Sequence, residues 1–283
     1  MDFRFVSYFI YAIAYSISLL PLQVLYSLSM LVYCIGWKFL GYRKSVIIQN
    51  LSKSFPEKKY KEINQLANQY FKHLSRLFAE WLKSLSENRS SVLSRISFEN
   101  TELLDKSGDL FIIMGHYGNW EAINCLPAAC SKPVYAVYKE QSSPLASYLS
   151  LKMRCRFGIK LLESNQAARF ILKNKTPSIY ILITDQSPSP SSKTKLQFMN
   201  QPTLVFEGFE RLILAKKGSV VYAEVMPEKN TKYSVTFTDI NTNANITSGV
   251  FSNLEQTIRK NPQYWLWSHR RWKHVVSFMM LLT

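Results

Sequence analysis

The residues best suited to chemistry are a histidine and a glutamate five positions apart, His116 and Glu121, in the stretch Gly115-His116-Tyr117-Gly118-Asn119-Trp120-Glu121. An imidazole can take a proton near neutral pH, and a carboxylate in reach of its other ring nitrogen fixes the tautomer and stabilises the imidazolium. If a helix starts at the histidine, one turn or so brings Glu121 round to its side, so the spacing suits a general base with a carboxylate partner. Such pairs also arise by chance. Context sets this one apart: an apolar run before it, glycines around it, and no other histidine so placed. His73 has no partner in its local sequence and reads as a solvated or locally bonded imidazole, while His269 and His274 sit in a basic run where a contact role is more natural. No Gly-x-Ser-x-Gly elbow marks a serine hydrolase, and no second His or Cys flanks His116 at ligand spacing, so neither a metal nor a cofactor is expected.

The elements that must position the pair read as alternating strands and helices. Short apolar runs at 109–115, 133–138, 178–184 and 219–225 have the character of buried strands, with helical stretches at 143–157, 164–174 and 207–216 between them. That order predicts an α/β fold, a mixed and mostly parallel sheet flanked by helices. Such sheets bind ligands beyond the carboxyl ends of their strands, and His116 follows the first of them. The alternating segment 232–239 comes after a Pro-Glu-Lys-Asn turn and should pair antiparallel with its predecessor. Upstream, Ile63, Leu66, Ala67, Tyr70, Phe71, Leu74, Leu77, Phe78, Trp81, Leu82 and Leu85 recur at three- and four-residue steps, one apolar stripe of a long helix. The stretch 187–192 is a loop.

The N-terminus is apolar throughout. From Phe5 to Trp37 no side chain is charged, a run well beyond the roughly 20 residues a helix needs to cross hydrocarbon. Pro21 should kink or divide it. Lys38, Arg43 and Lys44 follow the run and outnumber Arg4 before it, which by the positive-inside rule puts the rest of the chain in the cytoplasm. The expected organisation is a membrane anchor over 1–40 and a catalytic domain over 41–283. The net charge of +16 favours an anionic partner, and with the anchor present that partner is a membrane surface or an acidic carrier protein. A nucleic-acid binder would want a basic helix or aromatic module that is not seen. Cys34, Cys125, Cys130 and Cys155 follow no zinc, redox or disulfide pattern.

The stretch from Gly115 to Glu121 resembles the His, four residues, acidic residue motif of the glycerolipid acyltransferase superfamily, and more closely its branch of lipid A biosynthesis (Kdo-lipid A lauroyl/myristoyl) acyltransferases. The segments 50–57, 137–145, 183–188, 196–225 and 261–273 match in the same order, so the resemblance covers most of the chain. It implies an inner-membrane enzyme in which His116 is the base, the donor an acyl carrier protein thioester and the acceptor a hydroxyl of a lipid A precursor. It departs from the family at Lys139, where the family usually has Arg after Tyr, leaving a point charge in place of a bidentate fork. Thr184-Asp185 stands where the family has Pro-Asp. Asp185 ends a strand at the presumed active face, where it orients a basic group or the acceptor, or caps the following loop.

On this reading His116 removes the acceptor proton, Glu121 orients it, and the alkoxide attacks the thioester without an acyl-enzyme. Backbone amides at the helix start after His116, with Asn119 or Lys139, are candidates for meeting the oxyanion. Lys139, Arg154, Arg156, Arg169, Arg270, Arg271 and Lys273 are candidates for docking the carrier or the phosphates and sugar acids of the acceptor, though any one of them also suits plain solvation. The same apparatus could serve a lysophospholipid, an aminolipid or another glycolipid, or use coenzyme A. A reading from another class is a non-catalytic, basic membrane-binding protein.

Overall fold

The computed structural model describes residues 3–140, 143–189 and 192–274. The side chain of Arg4 and the middle of the 187–192 loop lie outside these residues. The apolar N-terminus forms two helices, α1 (Phe3–Ser18) and α2 (Leu22–Tyr33), the second continuing as a π-helix through Phe39. The break falls at Leu19–Pro21, because proline offers no N–H to continue the ladder and fits the start of the next helix instead. Leu22–Phe39 is long and apolar enough to cross a membrane. Along it Val24, Leu28, Met30, Leu31, Val32 and Ile35 are exposed, and Phe39 and Leu40 follow bare of cover.

Helices α3 (Lys44–Ser54) and α4 (Tyr60–Lys83) come next. The apolar stripe of α4 meets the core, and α2 lies along it: Tyr33 donates to Asn68 at 2.5 Å, and Lys83 closes the break after α1 by donating to the carbonyls of Ser18 and Leu20. The N-terminal segment is therefore tied to the rest of the chain by polar contacts as well as by apolar packing.

The remainder runs α5 (Arg89–Leu93), β1 (Ile96–Glu99), β2 (Leu110–Met114), β3 (Val134–Tyr138), α6 (Pro144–Arg154), β4 (Lys160–Glu163), α7 (Ser164–Lys173), β5 (Ile179–Ile183), β6 (Lys195–Phe198), β7 (Gln201–Leu204), α8 (Gly208–Lys216), β8 (Ser219–Pro227), β9 (Tyr233–Ile240) and α9 (Ile246–Lys260). Seven strands form one sheet in the order β1-β9-β8-β2-β5-β3-β4, all neighbours parallel except β8 with β9. The mixed, mostly parallel α/β architecture and the antiparallel β8–β9 pair are as the sequence predicts. Strand β2 sits at the centre with every residue buried. Phe111 and Ile113 join the core beneath α3, α4 and α9, while Leu110, Ile112 and Met114 join the core of the opposite face, as the two-residue period of a strand requires. The strands β1, β4 and the β6–β7 hairpin were not expected from the sequence. Each is four residues long, too short for a pattern to show.

Candidate active site

Two adjacent parallel strands bring the reactive groups together. Met114 at the end of β2 is in register with Ile183 at the end of β5, and two residues beyond each stand His116 and Asp185. The side chains meet there: His116 Nδ1 lies 2.6 Å from Asp185 Oδ1, and the backbone N–H of His116 donates to Asp185 Oδ2 at 2.8 Å. Trp265 Nε1 donates to the same Oδ2 at 2.7 Å. Gly115 makes the approach possible, since a Cβ there would stand 3.1 Å from Asp185 Oδ2 and 2.7 Å from Leu254.

Asp185 is 3 % exposed and His116 is 16 % exposed, so the carboxylate lies behind the ring and the ring faces outward. Burial by itself would raise the Asp185 carboxyl, but the His116 imidazole and the three N–H donors outweigh it and hold it down to about 2. The group is therefore an acceptor-only carboxylate to which Nδ1 donates, and in the neutral ring the lone pair is on Nε2, facing the cleft.

Glu121 does not meet His116. Its carboxylate takes the guanidinium of Arg154, with Nε 2.9 Å from Oε2 and Nη2 on Oε1, and accepts from Asn124 Nδ2 at 2.7 Å. Burial would raise the Glu121 carboxyl, and Arg154 holds it below its ordinary value. The expectation failed because no helix begins at His116. Gly118 has φ +59°, Asn119 is also non-helical, and a 3-10 helix starts only at Trp120 and runs to Ala128. A Cβ on Gly118 would lie 2.0 Å from the Val225 carbonyl oxygen, so the loop has this shape only with glycine.

The 116–119 loop is held from both sides. The Leu266 N–H donates to the His116 carbonyl at 3.1 Å and the Gly118 N–H to the Tyr264 carbonyl at 3.0 Å. From α4, His73 Nε2 lies 3.3 Å from the Gly118 carbonyl, and Glu80 accepts from Asn119 Nδ2 at 2.6 Å. These two α4 residues are seven apart and share a face of the helix. His73 is thus buried and partnered, not solvated, and burial pushes its imidazole down to about 4. Glu80 also accepts from Tyr26 of α2 at 2.5 Å and from Tyr233 at 2.7 Å, and burial raises its carboxyl above the ordinary value. Asn119 lines the cleft, but it spends its amide on Glu80 and its Oδ1 on the Glu121 N–H, so its side chain is committed to supporting the loop.

The other basic candidates separate by position. Arg154 lines the cleft beside Glu121. Lys139 and Arg270 are exposed and do not line it. Arg271 is 2 % exposed and donates through Nη2 to the Leu204 carbonyl at 2.7 Å, with burial lowering its guanidinium to about 10. It braces the C-terminal run and does not meet a headgroup. Arg156 caps the end of α4 through the carbonyls of Ser84, Leu85 and Glu87, and Arg169 borders a separate hollow with Phe170 and Lys173.

The cleft over His116 has a volume of about 460 Å³, within the range of small-molecule sites. Its wall is Val32 of α2, Leu74, Leu77, Phe78 and Trp81 of α4, with Trp120 and Leu266, and its polar end is His116, Glu121, Arg154 and Gln186. An apolar trough that ends at an imidazole suits a long hydrocarbon whose reactive head is polar. Among the described residues no cluster of His, Cys, Asp or Glu fits a metal ion.

A search of the curated proteins gives no match. Among solved structures the chain is similar to the 1-acyl-sn-glycerophosphate (LPA) acyltransferase PlsC from Thermotoga maritima, at 10% identity and a TM-score of 0.37, over 84% of this chain and 94% of that one. The family described as bacterial lipid A biosynthesis acyltransferase matches residues 2–274, nearly the whole length. The chain belongs to that family, and it is an acyltransferase.

Proposed function

We propose that the protein transfers a fatty acyl chain from an acyl carrier protein thioester to a hydroxyl of a lipid A precursor, with His116 as general base and Asp185 as its orienting carboxylate. The observation that carries this reading is the Nδ1 contact of 2.6 Å to Asp185, which leaves Nε2 as the free base in an apolar cleft. Nε2 takes the proton of the acceptor hydroxyl while the oxygen bonds to the thioester carbonyl carbon. The C–S bond then breaks, and the departing thiolate takes the proton back from the imidazolium. The ring nitrogen facing Asp185 keeps its proton throughout.

The apolar N-terminal helices support a cleft that opens at a membrane. Val32 of α2 forms part of its wall while the neighbouring Leu31 and Leu28 face outward, so an acyl chain can pass between bilayer and cleft with little exposure to water. Residues 1–40 then form the anchor and 41–283 the catalytic domain, on the cytoplasmic side of the inner membrane by the excess of Lys38, Arg43 and Lys44. Lys139, Arg270 and Lys273 are exposed cations suited to the acidic carrier or to acceptor phosphates.

The test is a panel of acyl carrier protein and coenzyme A thioesters against tetraacylated Kdo-lipid A and a lysophospholipid, with detergent-solubilised protein. Transfer from the carrier thioester to the lipid A precursor is expected. Transfer to the lysophospholipid alone would overturn the acceptor, and use of coenzyme A alone would overturn the donor.

A further inference from the structure

Gln186 stands where the acceptor hydroxyl must come. Its Nε2 lies 3.2 Å from His116 Nε2, on the side of the ring away from Asp185. With Nδ1 donating to Asp185, the neutral ring has its lone pair on Nε2, and the N–H side of the Gln186 amide faces it. His116 Nε2 is therefore already met by a donor from its own chain.

The backbone on either side of Gln186 is pinned, and its side chain is exposed. Asp185 is locked by His116 and Trp265, and Ser187 is locked through its N–H to His269 Nε2 at 3.2 Å and its Oγ to the carbonyls of Arg270 and Arg271. Between these two anchors the Gln186 side chain is exposed and lines the cleft. It can swing away by side-chain rotation alone.

We propose that Gln186 caps the base in the free enzyme and yields it to the acceptor hydroxyl, so that His116 does not activate water against a bound thioester before the acceptor arrives. This rests on the reading of the donor as an acyl thioester. In the reaction prevented, water gives a proton to Nε2 as its oxygen bonds to the carbonyl carbon. The C–S bond breaks, the thiolate is protonated by the imidazolium, and the products are free fatty acid and thiol. A neutral hydrogen bond is weak enough for a hydroxyl positioned by the rest of its lipid to displace. A lone water has no such remote binding to draw on.

The charged and titratable groups around this position are Asp185 at the end of β5, the Glu121–Arg154 pair from the 120–128 turn and α6, and His269 and Arg271 from the C-terminal run. None of the last four supplies an acceptor to Nε2, so a carboxylate placed at residue 186 would be a new partner for the imidazolium.

The experiment compares wild type, Gln186→Ala and Gln186→Glu as full-length detergent-solubilised protein. With a fatty acyl carrier protein thioester, the ratio of hydrolysis without acceptor to transfer with tetraacylated Kdo-lipid A should rise about 5-fold in Gln186→Ala, the occupancy a hydrogen bond worth ~1 kcal/mol controls. A ratio that stays the same or falls overturns the proposal. Nitrogen NMR of labelled histidine needs no substrate and separates this from the choice of donor. In Gln186→Glu the His116 ring nitrogens should reach their protonated positions about one pH unit higher than in wild type. Coincident titrations in the two proteins would overturn the contact, whatever the donor proves to be.

Discussion

His116 and Asp185 are joined twice, through the ring Nδ1 at 2.6 Å and through the backbone N–H at 2.8 Å, so one carboxylate fixes both the orientation of the imidazole and the position of the residue that carries it. Trp265 holds the same carboxylate from a third direction. A ring clamped in this way needs no rotation to present Nε2 to the cleft, which is the form of preorganisation that general-base catalysis rewards.

Asp185→Asn and Glu121→Gln should therefore fail differently. Asparagine keeps the shape but neither stabilises the imidazolium nor enforces the tautomer, and kcat should fall by about 10²- to 10⁴-fold. Glu121→Gln leaves the Arg154 guanidinium without its counter-charge in a site where both side chains keep about a fifth of their exposure. Its main effect should be a loss of stability on the order of 1–3 kcal/mol, below the cost of breaking a fully buried pair. Steady-state kinetics beside thermal melts separates the two, and equal losses of kcat would restore Glu121 to the role expected from its spacing.

Acid should loosen the support of the loop before it reaches Asp185. The His73 imidazole falls from an ordinary 6.5 to about 4 through burial. An unfolded chain then binds the proton first, so the stabilisation is complete above pH 6.5 and is lost as pH falls toward 4, at up to ~1.4 kcal/mol per pH unit. Thermal melts between pH 7 and 4 should show this slope, and His73→Gln, which keeps a donor for the Gly118 carbonyl without titrating, should flatten it. His269, also lowered to about 4 by burial, leaves a residual slope of the same sign. For Asp185 the sign is the same and the window lower: its contribution is complete above 3.8 and is lost as pH falls from there through about 2.

Gly118→Ala should be among the most damaging single changes outside the dyad. A methyl group at φ +59° is strained, and this one would meet the Val225 carbonyl oxygen at 2.0 Å. The loop must shift, at a cost of about 2 kcal/mol or more. Because that loop carries His116, activity should fall further than stability, as read from kcat against the melting temperature.

Chain-length preference should respond to the wall contributed by α2. Val32→Trp adds bulk to the apolar side of the cleft without touching its polar end. The ratio of kcat/KM for shorter over longer acyl donors should rise by about 10-fold or more, since a methylene in an apolar site is worth ~1–3 kcal/mol. A preference that does not move would exclude Val32 from the acyl path.

The sequence carried His116 clearly, because a lone histidine after an apolar strand and between glycines has few structural reasons to be there. The central strands β2, β3, β5 and β8, the long helix α4 and the divided N-terminal run were equally open to reading from period and punctuation. The partner of His116 was not. Asp185 lies 69 residues away, and its approach depends on which strand neighbours β2 and in which register, information held in tertiary packing. The signal that could have found it is positional: both residues stand just past the ends of apolar strands. Glu121 was misplaced by assuming a helix through Gly118, whose left-handed backbone is the reason for the glycine. His73 and Arg271 looked like surface groups because polarity alone does not show that a distant carbonyl waits for them in the interior.

The most direct measurement is acyl transfer from a fatty acyl carrier protein thioester to tetraacylated Kdo-lipid A by wild type and His116→Ala, with melting temperatures confirming that both are folded. Product should accumulate with wild type, and the His116→Ala rate should be lower by about 10²-fold or more. A folded His116→Ala protein that transfers as fast as wild type would contradict the assignment of His116 as the base.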